Sequence, residues 1–299
     1  MKLNLRFSIK HCQILRRDEF EMADLSGYFE SERPAYLYCI LSKNRITINH
    51  ESVNFTDSHI KTEFIIQNKN EFIKEQLDFK HSYTGLEEVK VVSDFPYSQF
   101  KIVDEAGSTL VAGKAAYFPE LEEAYGQVKN KELLDYEILY IGQSVLSKNK
   151  IPVVGRITKH PTFQKILEDY NQFHPDKELF SFFFSFKQDA LLDIPEEVTE
   201  EERANFIKGF QMNYLNPTSK EVKQNVTLME AALINYFKPT YNDKFVEHSP
   251  SKNHDSYSGV SKLNLDKVNV LFGIENFLPK LYTNKVGRKS EHVIEHKIK

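Results

Sequence analysis

The stretch from Phe180 to Phe186 constrains the fold more than any other part of the chain. It places five phenylalanines in seven residues, with serines at the other two positions. A strand with one face in solvent alternates apolar and polar residues, whereas a strand covered on both faces shows a nearly continuous apolar run. This segment therefore predicts a central strand that other layers cover on both sides.

The first 125 residues are predicted to form a β-rich N-terminal domain. Apolar and polar residues alternate at 3–9 and again in short runs as far as 100–102, which is the period of a strand with one buried face. The segment from Glu71 to Phe79 is predicted as the one helix of this region. We interpret the region as a β-sandwich or an open β-sheet, and residues 126–299 as a second domain.

Helices and one late strand are predicted in the second domain. Pro161 suits the first turn of a helix, and its predicted core-facing stripe is Phe163, Ile166, Leu167 and Tyr170. Thr199 and Glu202 fit a capping box that would begin a helix running to about Tyr214. A third helix is predicted from Lys220 to Phe237, followed by an alternating strand at 268–274.

Size and composition describe an ordinary globular chain. The 299 residues suggest two domains, at about 150 residues each, and 40% are hydrophobic and 27% charged. No apolar run reaches the roughly 20 residues of a membrane span, and no secretory signal is recognised, so a cytoplasmic protein without a membrane partner is expected. Two cysteines cannot form a disulfide framework.

Charge argues against a protein that coats nucleic acid. The net charge is −4, whereas binding along a duplex depends on many Lys and Arg residues that release counterions. A nuclease needs only a local basic groove and is not excluded. Residues 280–299 carry six basic and two acidic residues, and we interpret them as a basic, solvated tail.

Four short motifs follow one another in the second domain. Tyr140-Ile141-Gly142-Gln143-Ser144 ends an apolar strand, and Arg156 and His160 follow four residues apart. Glu230 lies in the last predicted helix, which stops before a turn that contains Asn242. Each residue has an ordinary alternative role: a buried strand tyrosine, a surface arginine or glutamate, a helix-capping histidine, a turn asparagine.

The order Y-I-G, R-x3-H, E and P-x-Y-N is much rarer than its parts. It resembles the core of the GIY-YIG nucleases, over roughly residues 136–245. The resemblance implies an α+β fold in which a small antiparallel sheet is flanked by helices. It also implies an endonuclease that hydrolyses phosphodiester bonds with one divalent metal ion, Mg²⁺ or Mn²⁺.

The chemistry of these side chains is compatible with that activity. Glu230 offers the carboxylate oxygen that hard divalent cations prefer, and Arg156 offers a planar fork that matches a phosphate. His160 titrates near neutral pH and is suited to proton transfer. By the resemblance, the hydroxyl of Tyr140 faces the scissile phosphate or its water. Gly142 is expected to allow a tight backbone turn, with Gln143 and Asn242 in supporting roles.

The first tyrosine of the family is not found at its usual place. The family begins with a G-I-Y strand shortly before Y-I-G, and this element is degenerate here. The nearest candidate is Ala115-Ala116-Tyr117, with Tyr117 lying 23 residues before Tyr140. If Tyr117 is that residue, the hairpin carries a long insertion from Pro119 to Asp135.

Two other classes of function remain as alternatives. One is a module of the same fold with a decayed site that binds nucleic acid or a nucleotide without cutting it. The other is a scaffold that forms oligomers. The partner expected from the leading hypothesis is nucleic acid, DNA rather than RNA, and the N-terminal domain is expected to recruit the substrate or a protein partner.

Overall fold

A computed structural model describes residues 2–29, 34–82, 88–144, 153–193, 198–210, 219–247 and 265–298. Its strands are β1 (Lys2–Arg16), β2 (Leu37–Asn44), β3 (Ile46–Phe55), β4 (His59–Asn68), β5 (Glu71–Lys80), β6 (Val89–Val92), β7 (Gln99–Asp104), β8 (Thr109–Lys114), β9 (Tyr136–Gln143), β10 (Lys177–Asp193), β11 (Leu265–Gly273), β12 (Leu281–Tyr282) and β13 (Glu291–Lys297). Its helices are α1 (Phe20–Leu25), α2 (Glu122–Gln127), α3 (Val153–Thr158), α4 (Pro161–Phe173), α5 (Glu200–Phe210) and α6 (Ser219–Phe237).

A mixed seven-stranded sheet forms the main body, in the order β12-β9-β2-β10-β1-β11-β13. Neighbours are antiparallel except for the pairs β1–β11 and β9–β12, which are parallel. The protein is therefore a mixed α and β structure, as predicted, but this sheet is larger than the small antiparallel one expected. The strands predicted at Glu137–Gly142 and Phe180–Phe186 both belong to it, with β2 between them.

The phenylalanine-rich strand lies at the centre of the sheet, as predicted. Phe180, Phe182 and Phe184 of β10 pack in a core that includes the apolar side of α6. Phe183 points to the other face, into a core with α4 and α1. All four side chains are at most 1% exposed, so layers on both faces do cover this strand.

The helices predicted from local patterns are also present. In α4 the buried residues are Phe163, Ile166 and Tyr170. The capping box forms: the Thr199 backbone N–H donates to Glu202 Oε2 over 3.1 Å, and the Glu202 N–H donates to Thr199 Oγ1 over 3.3 Å. The predicted end of this helix near Tyr214 lies outside the described residues.

The β-rich region is an insertion within the main sheet. Strands β2 and β9 are antiparallel neighbours, and residues 45–135 leave β2 and return to β9. This inserted unit contains the sheets β3-β4-β5 and β6-β7-β8, whose inner residues share one core. Its sandwich character matches the expectation. The boundary predicted near residue 125 does not, because β1 and β2 belong to the main sheet.

Two local predictions are corrected. The segment predicted as a helix at Glu71–Phe79 is strand β5, which pairs with β4 along its whole length. On its inner side Leu77 packs in the core of the inserted unit and Glu75 is buried. The segment interpreted as a solvated basic tail, 280–299, contributes β12 and β13 to opposite edges of the main sheet. In β13 the buried side chains His292, Ile294 and His296 alternate with the exposed Glu291, Val293, Glu295 and Lys297.

A buried ion pair joins the inserted unit to the main sheet. The Lys43 side chain at the end of β2 is fully buried and pairs with Glu120. Its Nζ also donates to the Ala116 carbonyl over 2.6 Å and to the Tyr136 hydroxyl over 3.2 Å. The Tyr136 O–H in turn donates to Glu120 Oε1 over 2.8 Å. The unit is thus fixed to both strands from which it emerges.

Candidate active site

One cavity of about 550 Å³ collects most of the residues that the sequence singled out. Tyr140, Arg156, His160 and Glu230 all line it, although they are spread over some ninety residues of chain. Its described lining residues are Tyr38, Tyr140, Gln143, Arg156, His160, Thr162, Lys223, Thr227, Glu230, Ile234, Tyr241, Asn242, Asp243, Lys244 and Phe245.

Four different parts of the fold position these side chains. Tyr140 and Gln143 lie on β9, and Arg156 lies in the short helix α3. His160 is the residue that caps the N-terminus of α4, with extended backbone angles; the proline that follows disfavours helical angles at this position. Glu230 lies on α6, which packs against the opposite face of the sheet from α4. The cavity therefore forms where both helical layers meet the end of β9.

Tyr38 is one of the lining residues that sequence reasoning missed. It lies on β2 opposite Gly142, and its ring centroid is 5.9 Å from that of Tyr140. The two phenol groups interact, and after burial this contact is among the causes that raise the pKa of Tyr38. The available signal was the sequence Tyr36-Leu37-Tyr38 within an apolar run, but the run lies about a hundred residues before Tyr140.

Tyr117, the candidate for the first tyrosine of the family, does not line this cavity. Its ring packs edge-on against Phe180 at a centroid distance of 5.9 Å, and its hydroxyl donates to Glu19 Oε2 over 2.5 Å. The physical reason is the strand order: β9 pairs with β2, whereas β8, just before Tyr117, belongs to the inserted unit. The insertion in the hairpin is therefore 45–135 rather than 119–135.

Gly142 has a different role from the tight turn expected of it. It lies within β9, and it is not among the residues with a positive φ angle. A Cβ atom at this position would lie 2.8 Å from the Tyr140 ring and 2.8 Å from both Cζ and the hydroxyl of Tyr38. The missing side chain therefore gives the two tyrosine rings the space in which they meet.

Glu230 is half-buried, and a short hydrogen bond holds its carboxylate. Gln143 Nε2 donates to Glu230 Oε2 over 2.6 Å and also lies 3.2 Å from Thr227 Oγ1. Burial raises the pKa of the Glu230 carboxyl to about 7, although the Gln143 bond and the nearby Lys244 act in the opposite direction. A carboxylate with so little water around it favours a cation as a neighbour.

The tyrosine and the histidine are both kept neutral at neutral pH. Burial, and secondly the charge of Glu230, raises the pKa of Tyr140, so its O–H remains a proton donor. Burial, and secondly the charge of Arg156, lowers the pKa of His160. Within the described part of the chain, His160 Nδ1 is buried and has no hydrogen-bond partner. A neutral imidazole of this kind can accept a proton.

The Asn242 side chain forms two hydrogen bonds with the backbone of β9, as a neighbouring strand would. Its Oδ1 accepts from the Ile141 backbone N–H over 2.9 Å, and its Nδ2 donates to the Ile141 carbonyl over 2.9 Å. The neighbouring Tyr241 N–H donates to the Leu139 carbonyl over 3.0 Å. The turn after α6 thus satisfies the backbone of β9 beside Tyr140 and fixes the position of α6, which carries Glu230.

The cavity also has a basic component that was not predicted. Lys223 lies two helical turns before Glu230 on α6, and Lys244 follows Asn242; both are exposed. Together with Arg156 they place positive charge around the half-buried Glu230, and the exposed Asp243 is the other carboxylate of the lining. In the described residues, no group of three or more His, Cys, Asp or Glu side chains could hold a metal ion.

Comparisons with known proteins found no relative of this chain. No protein-family profile, no curated protein and no solved structure matches this chain. Among the helices of the described residues, none has both the length and the apolar character to cross a membrane.

Proposed function

We propose that this protein is a divalent-metal-dependent nuclease that hydrolyses phosphodiester bonds, with a core of GIY-YIG type. In this proposal the core consists of β2, β9 and β10 with α4 and α6. The observation that carries it is the shared cavity: the four residues selected from the sequence as catalytic all line it. A chance resemblance in sequence would give no reason for Tyr140, Arg156, His160 and Glu230 to meet.

The residues of the cavity suit the charge that phosphodiester cleavage develops. The guanidinium of Arg156 can donate two parallel hydrogen bonds to phosphate oxygens as negative charge grows on them. Neutral His160 is the group able to take a proton from the attacking water. The O–H of Tyr140, whose ring lies beside that of Tyr38, can donate to the phosphate or to that water.

The donor set fits one divalent cation. Glu230 would hold it, with the Thr227 hydroxyl as the neighbouring neutral oxygen, while the Gln143 side chain faces both through its amide nitrogen. Mg²⁺ commonly binds through one or two carboxylates and keeps several waters, which agrees with one half-buried carboxylate. When bound, Mg²⁺ or Mn²⁺ would supply electrostatic stabilisation of the leaving oxygen.

The inserted unit is proposed to recruit the substrate or a partner from a distance. It leaves the β2–β9 hairpin at Asn44 and Tyr136, the end remote from the cavity. Six residues of extended chain separate Tyr38 from Asn44, which corresponds to about 20 Å. A duplex with one base pair per 3.4 Å would cover that distance in about six base pairs.

The test is cleavage of supercoiled plasmid, linear duplex DNA and single-stranded RNA, each with Mg²⁺, with Mn²⁺ and with chelator. We expect cleavage that needs the metal and acts on DNA. Glu230→Gln keeps the shape of the side chain, and we expect it to lower the rate on the order of 1000-fold or more, since a metal ion contributes several kcal/mol to transition-state stabilisation. Glu168→Gln, at an exposed position of α4, is the matched control.

Two outcomes would contradict parts of this proposal. Full activity of Glu230→Gln at saturating Mg²⁺ would remove Glu230 as the metal ligand. The net charge of −4 favours the second candidate, a module that binds without cutting. Binding of the same substrates with no cleavage under any of these conditions would establish that alternative.

A further inference from the structure

A second cavity lies inside the inserted unit, between its two small sheets. Its volume is about 580 Å³, close to that of the candidate active site. Its described lining residues are Ile60, Thr62, Phe64, Phe79, Lys80, His81, Ser82, Phe100, Ile102, Val111 and Phe118. Cavities of this volume accommodate small organic molecules.

The walls of this cavity belong to the core of the unit. Ile60, Phe64, Phe100 and Ile102 are at most 3% exposed, so the deepest part of the cavity wall is apolar core. Ligand cavities are typically lined by apolar and aromatic side chains with a few polar groups. An occupant with apolar surface would therefore match this wall.

The aromatic part of the wall is packed ring against ring. The Phe118 ring lies 4.6 Å from that of Phe100 and 6.1 Å from that of Phe64, between ring centroids. This position depends on Gly113, because a Cβ atom there would collide with the Phe118 ring. A wall whose rings are fixed by close packing reduces the ordering cost of binding.

Polar residues are gathered at one side of the cavity. Lys80 and Ser82 are exposed, and His81 is held by a 2.8 Å hydrogen bond from its Nε2 to the Thr56 carbonyl. None of the described residues that line the cavity is acidic. The opening is thus a place where a negatively charged group meets a lysine while the rest of the molecule reaches apolar walls.

We propose that this cavity is a binding site for a small amphiphilic anion. Its apolar body, an acyl chain or an aromatic ring system, would fill the space between the two sheets. Its carboxylate or comparable anionic group would lie at the opening beside Lys80. The proposal is independent of the nuclease activity, since it concerns a different cavity and is tested without nucleic acid.

The test is a fluorescence titration of the full-length protein with 8-anilinonaphthalene-1-sulfonate, followed by displacement. We expect saturable one-to-one binding with a blue-shifted emission, displaced by laurate more effectively than by uncharged 1-dodecanol. Lys80→Glu should weaken binding about tenfold, which corresponds to about 1.4 kcal/mol. Lys101→Glu is the matched control, because Lys101 is exposed on β7 between the inward-facing Phe100 and Ile102.

A second variant locates the probe. Val111→Trp adds bulk to the wall contributed by β8 and should abolish binding while the urea unfolding curve stays cooperative. Absence of saturable binding to the native protein would overturn the proposal. So would equal losses in Lys80→Glu and Lys101→Glu, displacement by dodecanol as effective as by laurate, or unchanged binding in a folded Val111→Trp.

Discussion

Two cavities in the described residues have nearly the same volume and opposite character. The charged and aromatic side chains that line the cavity at the end of the β2–β9 hairpin, about 550 Å³, include tyrosines, a histidine, an arginine, two lysines, an aspartate and the half-buried Glu230. The cavity in the inserted unit, about 580 Å³, is lined mainly by phenylalanine and aliphatic side chains. Volume alone therefore does not distinguish a site for chemistry from a site for binding.

The two cavities differ in where their ionisable side chains lie and in how the pKa values of these side chains are shifted. In the hairpin cavity, burial raises the pKa of Glu230 to about 7 and lowers that of His160. Shifted groups that face one another are typical of sites that transfer protons or hold metals. In the inserted unit the charge is confined to the opening. We therefore assign reaction to the first cavity and binding to the second.

The largest expected effect concerns the ion pair that joins the two regions. Lys43→Met leaves Glu120 buried without its cation, and burial already raises the pKa of this carboxyl. Loss of one partner of a buried pair typically costs about 3–5 kcal/mol. We expect a loss of that size in the free energy of unfolding, measured by urea titration.

The double variant Lys43→Met/Glu120→Gln provides the control, because it removes the unpaired charge. It should recover most of the lost stability. If the single variant instead shows two separate unfolding transitions, the inserted unit and the main sheet fold independently, and the comparison is between two domains rather than two parts of one.

The next effect tests the reactive character of the hairpin cavity. Arg156→Ala should lower the cleavage rate on the order of 100–1000-fold, since removal of one transition-state donor costs about 2.7–4 kcal/mol. Substrate affinity should fall only modestly, because one phosphate contact is a small part of a salt-dependent interface. Gel-shift affinity and single-turnover rates separate the two effects.

Arg156→Lys distinguishes two roles of Arg156: bidentate hydrogen bonding to a phosphate, or positive charge alone. The lysine keeps the positive charge and loses the two parallel donors, so the rate should remain strongly reduced. Wild-type rates in this variant would mean that Arg156 acts as a general positive charge. If the wild type cleaves nothing and the Arg156 variants lose much of their affinity for the substrate, the cavity is a binding site.

Sequence patterns predicted the elements whose signals are local. The phenylalanine run predicted β10, and the spacing of Phe163, Ile166 and Tyr170 predicted α4. Both signals, the burial of a strand and the period of a helix, can be recognised from neighbouring residues alone. Strand β5 was wrongly predicted as a helix, because its pairing with β4 and the core packing of its inner side at Leu77 lie outside the local pattern.

The candidate site was only partly accessible to the same reasoning. The residues from β9 onward could be selected because they keep a recognisable order. Tyr38 could not, because 91 residues of inserted chain, 45–135, separate β2 from β9. Pairing of strands so distant in sequence is decided by tertiary packing, and no local period reports it. The same insertion made residues 1–125 look like a separate domain.

The smallest expected effect tests the meeting of the two tyrosines. Gly142→Ala places a methyl group against the rings of Tyr38 and Tyr140, both within 2.8 Å of the ideal Cβ position. Overpacking of this kind costs about 1–3 kcal/mol, and displacement of Tyr140 should lower the cleavage rate by roughly tenfold, since small misplacements at reacting groups are costly. Gly126→Ala is the matched control, because Gly126 lies in α2 with no atom within 4 Å of its ideal Cβ, and alanine suits a helix better than glycine. We expect that control to keep the native rate and to match or exceed the native stability. Equal behaviour of the two variants in both measurements would mean that the contact between Tyr38 and Tyr140 has no part in the reaction, and that Tyr38 is a core residue of the main sheet.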